Sequence, residues 1–141
     1  MGELGGPRGG VFIAGVAEAP LGKVLDHSEL SMVAVAAREA LAEAGMTLRD
    51  VDGVFATLMG EQSSVQVGEY LGVVPRYADS SDLGGAGFEA LVHHAMLAVA
   101  ARRCEVALVG YATRQRTKGR RHIGVSGIAE QFESPYGLPM P

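Results

Sequence analysis

Apolar residues gather in short runs along this chain, separated by polar and glycine-containing breaks. The first run, Val11 to Val16, is bounded by glycine and reads as a buried strand. Pro20 and Gly22 then force a loop. A helix is predicted from Ser28 or Ser31, either of which can cap it, to about Ala44. Leu30, Val33, Ala37, Leu41 and Ala44 share one face of that helix, while Arg38, Glu39 and Glu43 stay outside and Gly45 ends it. Asp50 and Asp52 bracket a turn into a second apolar strand, Gly53 to Met59. Ser63 or Ser64 starts a short helix that ends near Leu71 and Gly72, and Arg76 to Ser81 is a short extended piece. The longest helix is predicted from Gly85 to Arg103. Its apolar positions, Phe88, Leu91, Val92, Ala95, Met96, Val99 and Ala100, are spread widely enough to be buried on most sides. Glu105 to Ala112 is the last strand.

Strand and helix therefore alternate, and the expected fold is a layered α/β domain with a mostly parallel sheet of four strands and helices on its faces. Residues 1 to 10 are rich in glycine and read as a flexible leader. After Ala112 the chain turns polar and basic and then rich in proline and glycine, so 113 to 141 reads as the start of a loop region that has been cut off. With 141 residues, 48% of them hydrophobic and 20% charged, the composition is that of one globular domain. A net charge of −4 gives no pull toward nucleic acid or an anionic membrane, and an aromatic content of 6% without tryptophan gives no platform for stacking bases. No apolar stretch reaches the ~20 residues that span a bilayer. Cys104 is the single cysteine, so an internal disulfide is excluded and a reducing cytoplasm is the expected location.

Candidate chemistry is sparse. His93 and His94 are adjacent on a helix and point about 100° apart, so they cannot form an i, i+4 metal pair, and no metal site is expected. Asp79 and Asp82 flank the start of the long helix, where Asp82 suits a cap. Five of the twelve basic residues, Arg114, Arg116, Lys118, Arg120 and Arg121, fall within eight positions. They form either a solvated loop or a contact for phosphate groups. Tyr111 follows the last apolar run and could face a site there. The run Gly84-Gly85-Ala86-Gly87 matches neither a Walker loop nor GxGxxG. Such glycines either permit a tight turn and close packing or leave backbone amides open toward an anionic oxygen.

Several stretches, in order, carry a family resemblance: Val11-Phe12-Ile13-Ala14-Gly15-Val16, the helix Ala36 to Gly45, and Val51-Asp52-Gly53-Val54. Gly84-Gly85-Ala86-Gly87-Phe88-Glu89-Ala90-Leu91, Cys104 to Gly110 and Phe132 to Gly137 continue it. Over residues 11 to 141 the chain resembles the N-terminal portion of the thiolase superfamily, in particular its lipid-transfer-protein and acetyl-CoA acetyltransferase branch. The resemblance implies a layered fold of which 11 to 112 is the first α/β half, and chemistry at the carbon–carbon bond beside a CoA thioester, with that thioester as substrate and no separate cofactor. It also implies a homodimer in which Arg76 to Ser81 pairs across the two-fold.

The family's nucleophile is a cysteine at the start of the long helix, in a Cys-x-Ser/Thr-Gly pattern. Aligning Gly87 with the last glycine puts Gly84 at the cysteine position, so the covalent step is lost. Cys104 lies near the other end of that helix, ~27 Å away at about 1.5 Å per residue, and reads as a small buried hydrophobe. The resemblance then points to thiolase-like aldolases of steroid side-chain degradation, which lack the cysteine and cleave β-hydroxyacyl-CoA by a retro-aldol step. On this reading the backbone amides of Gly84, Gly85, Ala86 and Gly87 bind the substrate. The partner implied is an OB-fold, zinc-containing protein, and the 141-residue chain alone is expected to be inactive and to self-associate. Three alternatives stay open: a conventional acyltransferase, a non-catalytic subunit of a thiolase-like complex, and a small α/β binding domain unrelated to CoA.

Overall fold

The computed structural model describes residues 10–58, 62–118 and 134–136. Helix α1 spans Glu29–Glu43 and starts where the serines predict. Ser28 and Ser31 act together: the Ser28 hydroxyl accepts from the Ser31 amide at 3.0 Å, and the Ser31 hydroxyl accepts from the Ser28 amide at 2.8 Å. This reciprocal arrangement satisfies two amides that the helix itself leaves open. Strand β1 is Gly53–Thr57, α2 is Ser63–Leu71 and β2 is Tyr77–Ser80. A 3₁₀ turn, Gly84–Ala86, leads into α3, Gly87–Ala100. Strand β3 is Ala107–Tyr111, and the four-residue α4, Gln115–Lys118, follows it. A second 3₁₀ turn covers Ser134–Tyr136.

The sheet has three strands in the order β2-β1-β3, and both pairings are parallel. In β1 every residue is buried, as expected of a central parallel strand covered on both faces. Alternation sorts its side chains. Val54 and Ala56 join Met32, Val33, Ala37 and Leu41 of α1 and Val67 and Leu71 of α2 in one core. Phe55 joins Leu91, Ala95 and Ala98 of α3, with Cys104, in a second core on the opposite face. The result is three layers: α1 and α2, the sheet, and α3. Phe55 and Leu91 are fully buried, so Leu91→Ala would cost about 2–5 kcal/mol. Gly53 faces the second core, and a Cβ built there would lie 2.7 Å from the Cys104 sulfur.

Asp52 closes the sheet at its amino edge. Its Oδ1 accepts from the amides of Glu105 at 2.8 Å and Val106 at 2.9 Å, while its carbonyl accepts from the Arg76 amide at 2.7 Å. One residue thereby ties the starts of all three strands. The three long helices end alike. Gly45, Gly72 and Arg102 take left-handed φ values of +69°, +71° and +56°. In each case the following amide, of Met46, Val73 or Arg103, bonds back to Leu41, Gly68 or Ala98. This is the Schellman arrangement, in which glycine is the low-cost residue and arginine is not.

Three expectations need correction. Val11–Val16 is not a strand, and the sheet has no fourth strand among the described residues. Gly15 packs instead on the Ala40 carbonyl of α1, and the Val16 amide donates to Glu43 Oε2 at 2.7 Å. Phe12 and Ile13 remain 79% and 78% exposed. An apolar run states a demand for burial; it becomes a strand only where an edge pairs with it. The long helix is also not buried on most sides. Leu91, Ala95 and Ala98 are buried, but Phe88, Val92 and Leu97 stay exposed. Finally, Asp82 does not cap: neither the Gly84–Ala86 turn nor α3 has a side-chain cap. Of the predicted strand Gly53–Met59, Met59 lies outside the described residues.

Candidate functional site

Parallel strands end together, and the loops at their carboxyl ends are where α/β folds place their chemistry. Here β1 ends at Thr57, β2 at Ser80 and β3 at Tyr111, with Thr57 and Tyr111 in register. The glycine run starts α3 at this same edge. Gly84 has φ +59°, and both Gly84 and Gly85 have open space where a Cβ would stand. A left-handed residue here reverses the chain from the β2 exit into the helix. Gly87 is buried, with a Cβ position 3.5 Å from Thr57 and 3.7 Å from Ser81 Oγ. The Gly87 amide donates to the Gly84 carbonyl, which leaves Gly84, Gly85 and Ala86 as the exposed backbone of the run. First-turn amides have no acceptor within a helix, and no side chain caps these.

Hydroxyls cluster at this edge of the sheet, and those of Thr57 and Ser81 stand beside Gly87. Thr57 Oγ1 donates to the Ser81 carbonyl at 2.9 Å. Ser80 Oγ donates to Ser64 Oγ at 2.8 Å and accepts from the Ser64 amide at 2.9 Å, and Ser63 Oγ accepts from the Leu58 amide at 2.9 Å. Thr57, Ser63 and Ser64 are buried polar residues. The sequence signal was available: hydroxyl residues stand where each apolar run gives way to a loop. On the other side of the turn Tyr111 stacks on Phe88, with ring centroids 5.4 Å apart and both rings partly exposed. The first residues of α3 thus have the Thr57 and Ser81 hydroxyls beside Gly87 and the Tyr111 ring beside Phe88.

The remaining candidates lie elsewhere. Cys104 is 1% exposed and sits beyond the far end of α3. Burial pushes its thiol above the ordinary range, and the nearby Asp52 carboxylate adds to this against a smaller opposing effect of Arg76. A buried, protonated thiol is a poor nucleophile. His94 Nδ1 is 2.7 Å from Asp79 Oδ2, a pairing between α3 and β2 that the sequence reading did not foresee; the His93 ring lies 6.3 Å from that of His94. Among the described residues no group of three His, Cys, Asp or Glu could hold a metal ion. An open groove of about 790 Å³ follows β2 and the C-terminal half of α3, lined by Arg76, Asp79, His94, Arg102 and Arg103 among others. It does not include the glycine turn. Arg114 fastens α4 to the chain before α1: its Nη2 is 3.5 Å from the Val24 carbonyl and 3.4 Å from that of Leu25, and Thr117 Oγ1 donates to Val24 at 2.9 Å. Arg116 is exposed, and Arg120 and Arg121 lie outside the described residues, as does the side chain of Lys118. No described helix is long and apolar enough to cross a membrane.

No protein-family model matches the chain. Among curated proteins it is similar to 17-hydroxy-3-oxo-4-pregnene-20-carboxyl-CoA lyase of Mycobacterium tuberculosis (strain ATCC 25618 / H37Rv), at 28% identity over 143 residues. That match covers 94% of this chain and 37% of the lyase. Among solved structures it is similar to the Ltp2-ChsH2(DUF35) aldolase, with a TM-score of 0.76 and 28% identity over 91% of this chain and 34% of that one. It also resembles a monomeric SCP2-thiolase-like protein type 1 from Mycobacterium smegmatis, with a TM-score of 0.60. That match has 21% identity and covers 81% of this chain and 26% of that one, so it speaks to the fold alone. The chain spans about a third of the length of the relatives it matches. Three layers around a parallel sheet and the likeness to both lyase and aldolase lead to one conclusion: the chain has a thiolase-like fold and is similar in sequence to a lyase and an aldolase.

Proposed function

We propose that this chain contributes the glycine-lined wall of the active site of a thiolase-like aldolase acting on β-hydroxyacyl-CoA thioesters. The observation that carries the reading is the turn at Gly84–Ala86. It is exposed and without a side-chain cap, and on the reading that aligns Gly84 with the family cysteine it offers backbone amides there and no side chain that could hold an acyl group. Retro-aldol cleavage needs no acyl-enzyme. A base takes the proton of the β-hydroxyl, and the oxygen's electron pair forms the new carbonyl. The Cα–Cβ bond breaks, and its pair passes into the thioester as an enolate, which then takes a proton at Cα. The products are a ketone or aldehyde and a shorter acyl-CoA.

The charge that develops is on the thioester oxygen. Amides of Gly84, Gly85 and Ala86 are the groups assigned to it, and one preorganised donor of this kind is worth ~10²–10³ in rate. The step as written uses no cofactor beyond the CoA thioester of the substrate. The likeness to a lyase for a steroid-derived CoA thioester and to an aldolase with a DUF35 component supports two further assignments. The acyl group is large and apolar, and the working assembly includes a DUF35-type protein.

The test is to co-express the chain's gene with a DUF35-type protein from the same genome and incubate the complex with 17-hydroxy-3-oxo-4-pregnene-20-carboxyl-CoA. Mass spectrometry should show a shorter acyl-CoA and a ketone appearing in equal amounts. Condensation of two acetyl-CoA molecules, with no cleavage of the hydroxyacyl thioester, would replace the aldolase reading by an acyltransferase one.

A further inference from the structure

Thr57 occupies a distinctive place at the glycine turn. It ends the central strand, and only 9% of its surface is exposed. Its hydroxyl donates to the carbonyl of Ser81, the residue where the chain leaves β2, at 2.9 Å. The same side chain stands beside Gly87: a Cβ added there would be 3.5 Å from both Cγ2 and Oγ1 of Thr57. One short, β-branched side chain therefore bonds to the residue before the segment 82 to 86 and stands beside the residue after it. That segment has no side-chain cap to hold it, and its middle residue Gly84 sits at left-handed φ. β-branching matters here, because a threonine has few rotamers in a strand and its methyl and hydroxyl are aimed as a unit.

We propose that Thr57 is the positioning residue of this site: by pinning the Ser81 carbonyl beneath Gly87 it sets where the amides of Gly84, Gly85 and Ala86 stand. The proposal rests on the aldolase reading for its chemical consequence, but the pinning is measurable without any turnover. Thr57→Val keeps the shape and removes the hydroxyl; Thr57→Ser keeps the hydroxyl and removes the methyl. Amide hydrogen exchange of the full chain gives the first readout. The reporter is Gly87, whose amide is bonded to the Gly84 carbonyl. Losing one hydrogen bond should speed its exchange by ~5–10-fold in Thr57→Val, with Thr57→Ser within about 2-fold of the parent, while the Phe55 amide in the strand core changes equally in both.

Kinetics of the cleaving complex give the second readout. Misplaced donors lower kcat rather than substrate binding, so Thr57→Val should lose ~10–100-fold in kcat with KM within about 3-fold, and Thr57→Ser should recover most of it. Unchanged exchange at Gly87 in Thr57→Val, or equal damage in the Val and Ser variants, overturns the proposal. A parent complex that cleaves no β-hydroxyacyl-CoA sinks the aldolase reading instead, and the exchange data then still decide whether Thr57 holds the turn.

Discussion

Replacing Asp52 with alanine tests how much of the sheet's amino edge depends on one carboxylate. Oδ1 accepts from two amides, at 2.8 Å from Glu105 and 2.9 Å from Val106. Each such bond is worth about 1–1.5 kcal/mol net of its exchange with water. Oδ2 stands 3.5 Å from Arg76 Nη1, but the arginine side chain is 63% exposed and that ion pair contributes close to zero. The Asp52 carbonyl and amide keep their bonds to Arg76 and Val106 in any variant. Asp52→Ala should therefore cost about 2–3 kcal/mol. Asp52→Asn retains an acceptor at Oδ1 and should cost less than about 1 kcal/mol. The measurement is urea unfolding followed by far-ultraviolet circular dichroism, since the chain lacks tryptophan, at one fixed protein concentration so that any self-association is common to all variants. An alanine variant within about 0.5 kcal/mol of the parent would show that water replaces the carboxylate without loss. An asparagine variant as damaged as alanine would show that the charge, and not the acceptor geometry, holds the edge.

Other outcomes follow from single residues. The Asp50 carboxylate accepts from the Thr47 amide at 2.7 Å and its hydroxyl at 2.9 Å, and the backbone bond first, then the side-chain bond, holds its pKa below the usual value. A depressed pKa stabilises the fold above the unfolded value of ~3.9, and that contribution fades as pH falls through the lower folded value. Asp50→Asn should flatten the fall of the melting temperature as the pH is lowered below about 4. Arg102→Gly removes a left-handed arginine from the end of α3 and should add about 0.5–1 kcal/mol in the same urea titration. In Gly84→Cys the new Cβ meets open space, so the cost is the left-handed backbone, about 1–2 kcal/mol. After incubation with acetyl-CoA, mass spectrometry should find an acetyl group on residue 84 of that variant and none on the parent; acetylation of Cys104 would contradict its burial.

What was legible in the sequence was whatever depends on neighbours a few residues apart. Ser28 and Ser31 announce α1, Gly45 and Gly72 announce two helix ends, and the glycine run announces a special turn at 84 to 87. What was hidden depends on partners far along the chain. Thr57 and Ser81 are 24 positions apart, Ser64 and Ser80 are 16 apart, and Asp79 and His94 are 15 apart. No periodicity brings such residues together. The false strand at Val11–Val16 has the same origin: its apolar run is real, but pairing is a property of two segments and only one was being read. The left-handed arginine at 102 shows the converse, a geometry imposed by the α3-to-β3 connection where the local residue gives no warning.

The narrow space between Gly53 and Cys104 also constrains how this chain can change. A methyl at residue 53 would fall 2.7 Å from the Cys104 sulfur and 3.2 Å from the Phe55 ring, inside van der Waals contact. The sulfur is therefore the volume that Gly53 leaves free, and the two residues share one space. Order then matters for mutation. Cys104→Ala opens a small void and is tolerated at modest cost, after which Gly53→Ala fills part of it; Gly53→Ala made first meets a buried atom with nowhere to go. The two substitutions are non-additive, with the pair less harmful than the sum. A mutational path through this part of the core is thus open from one direction and closed from the other.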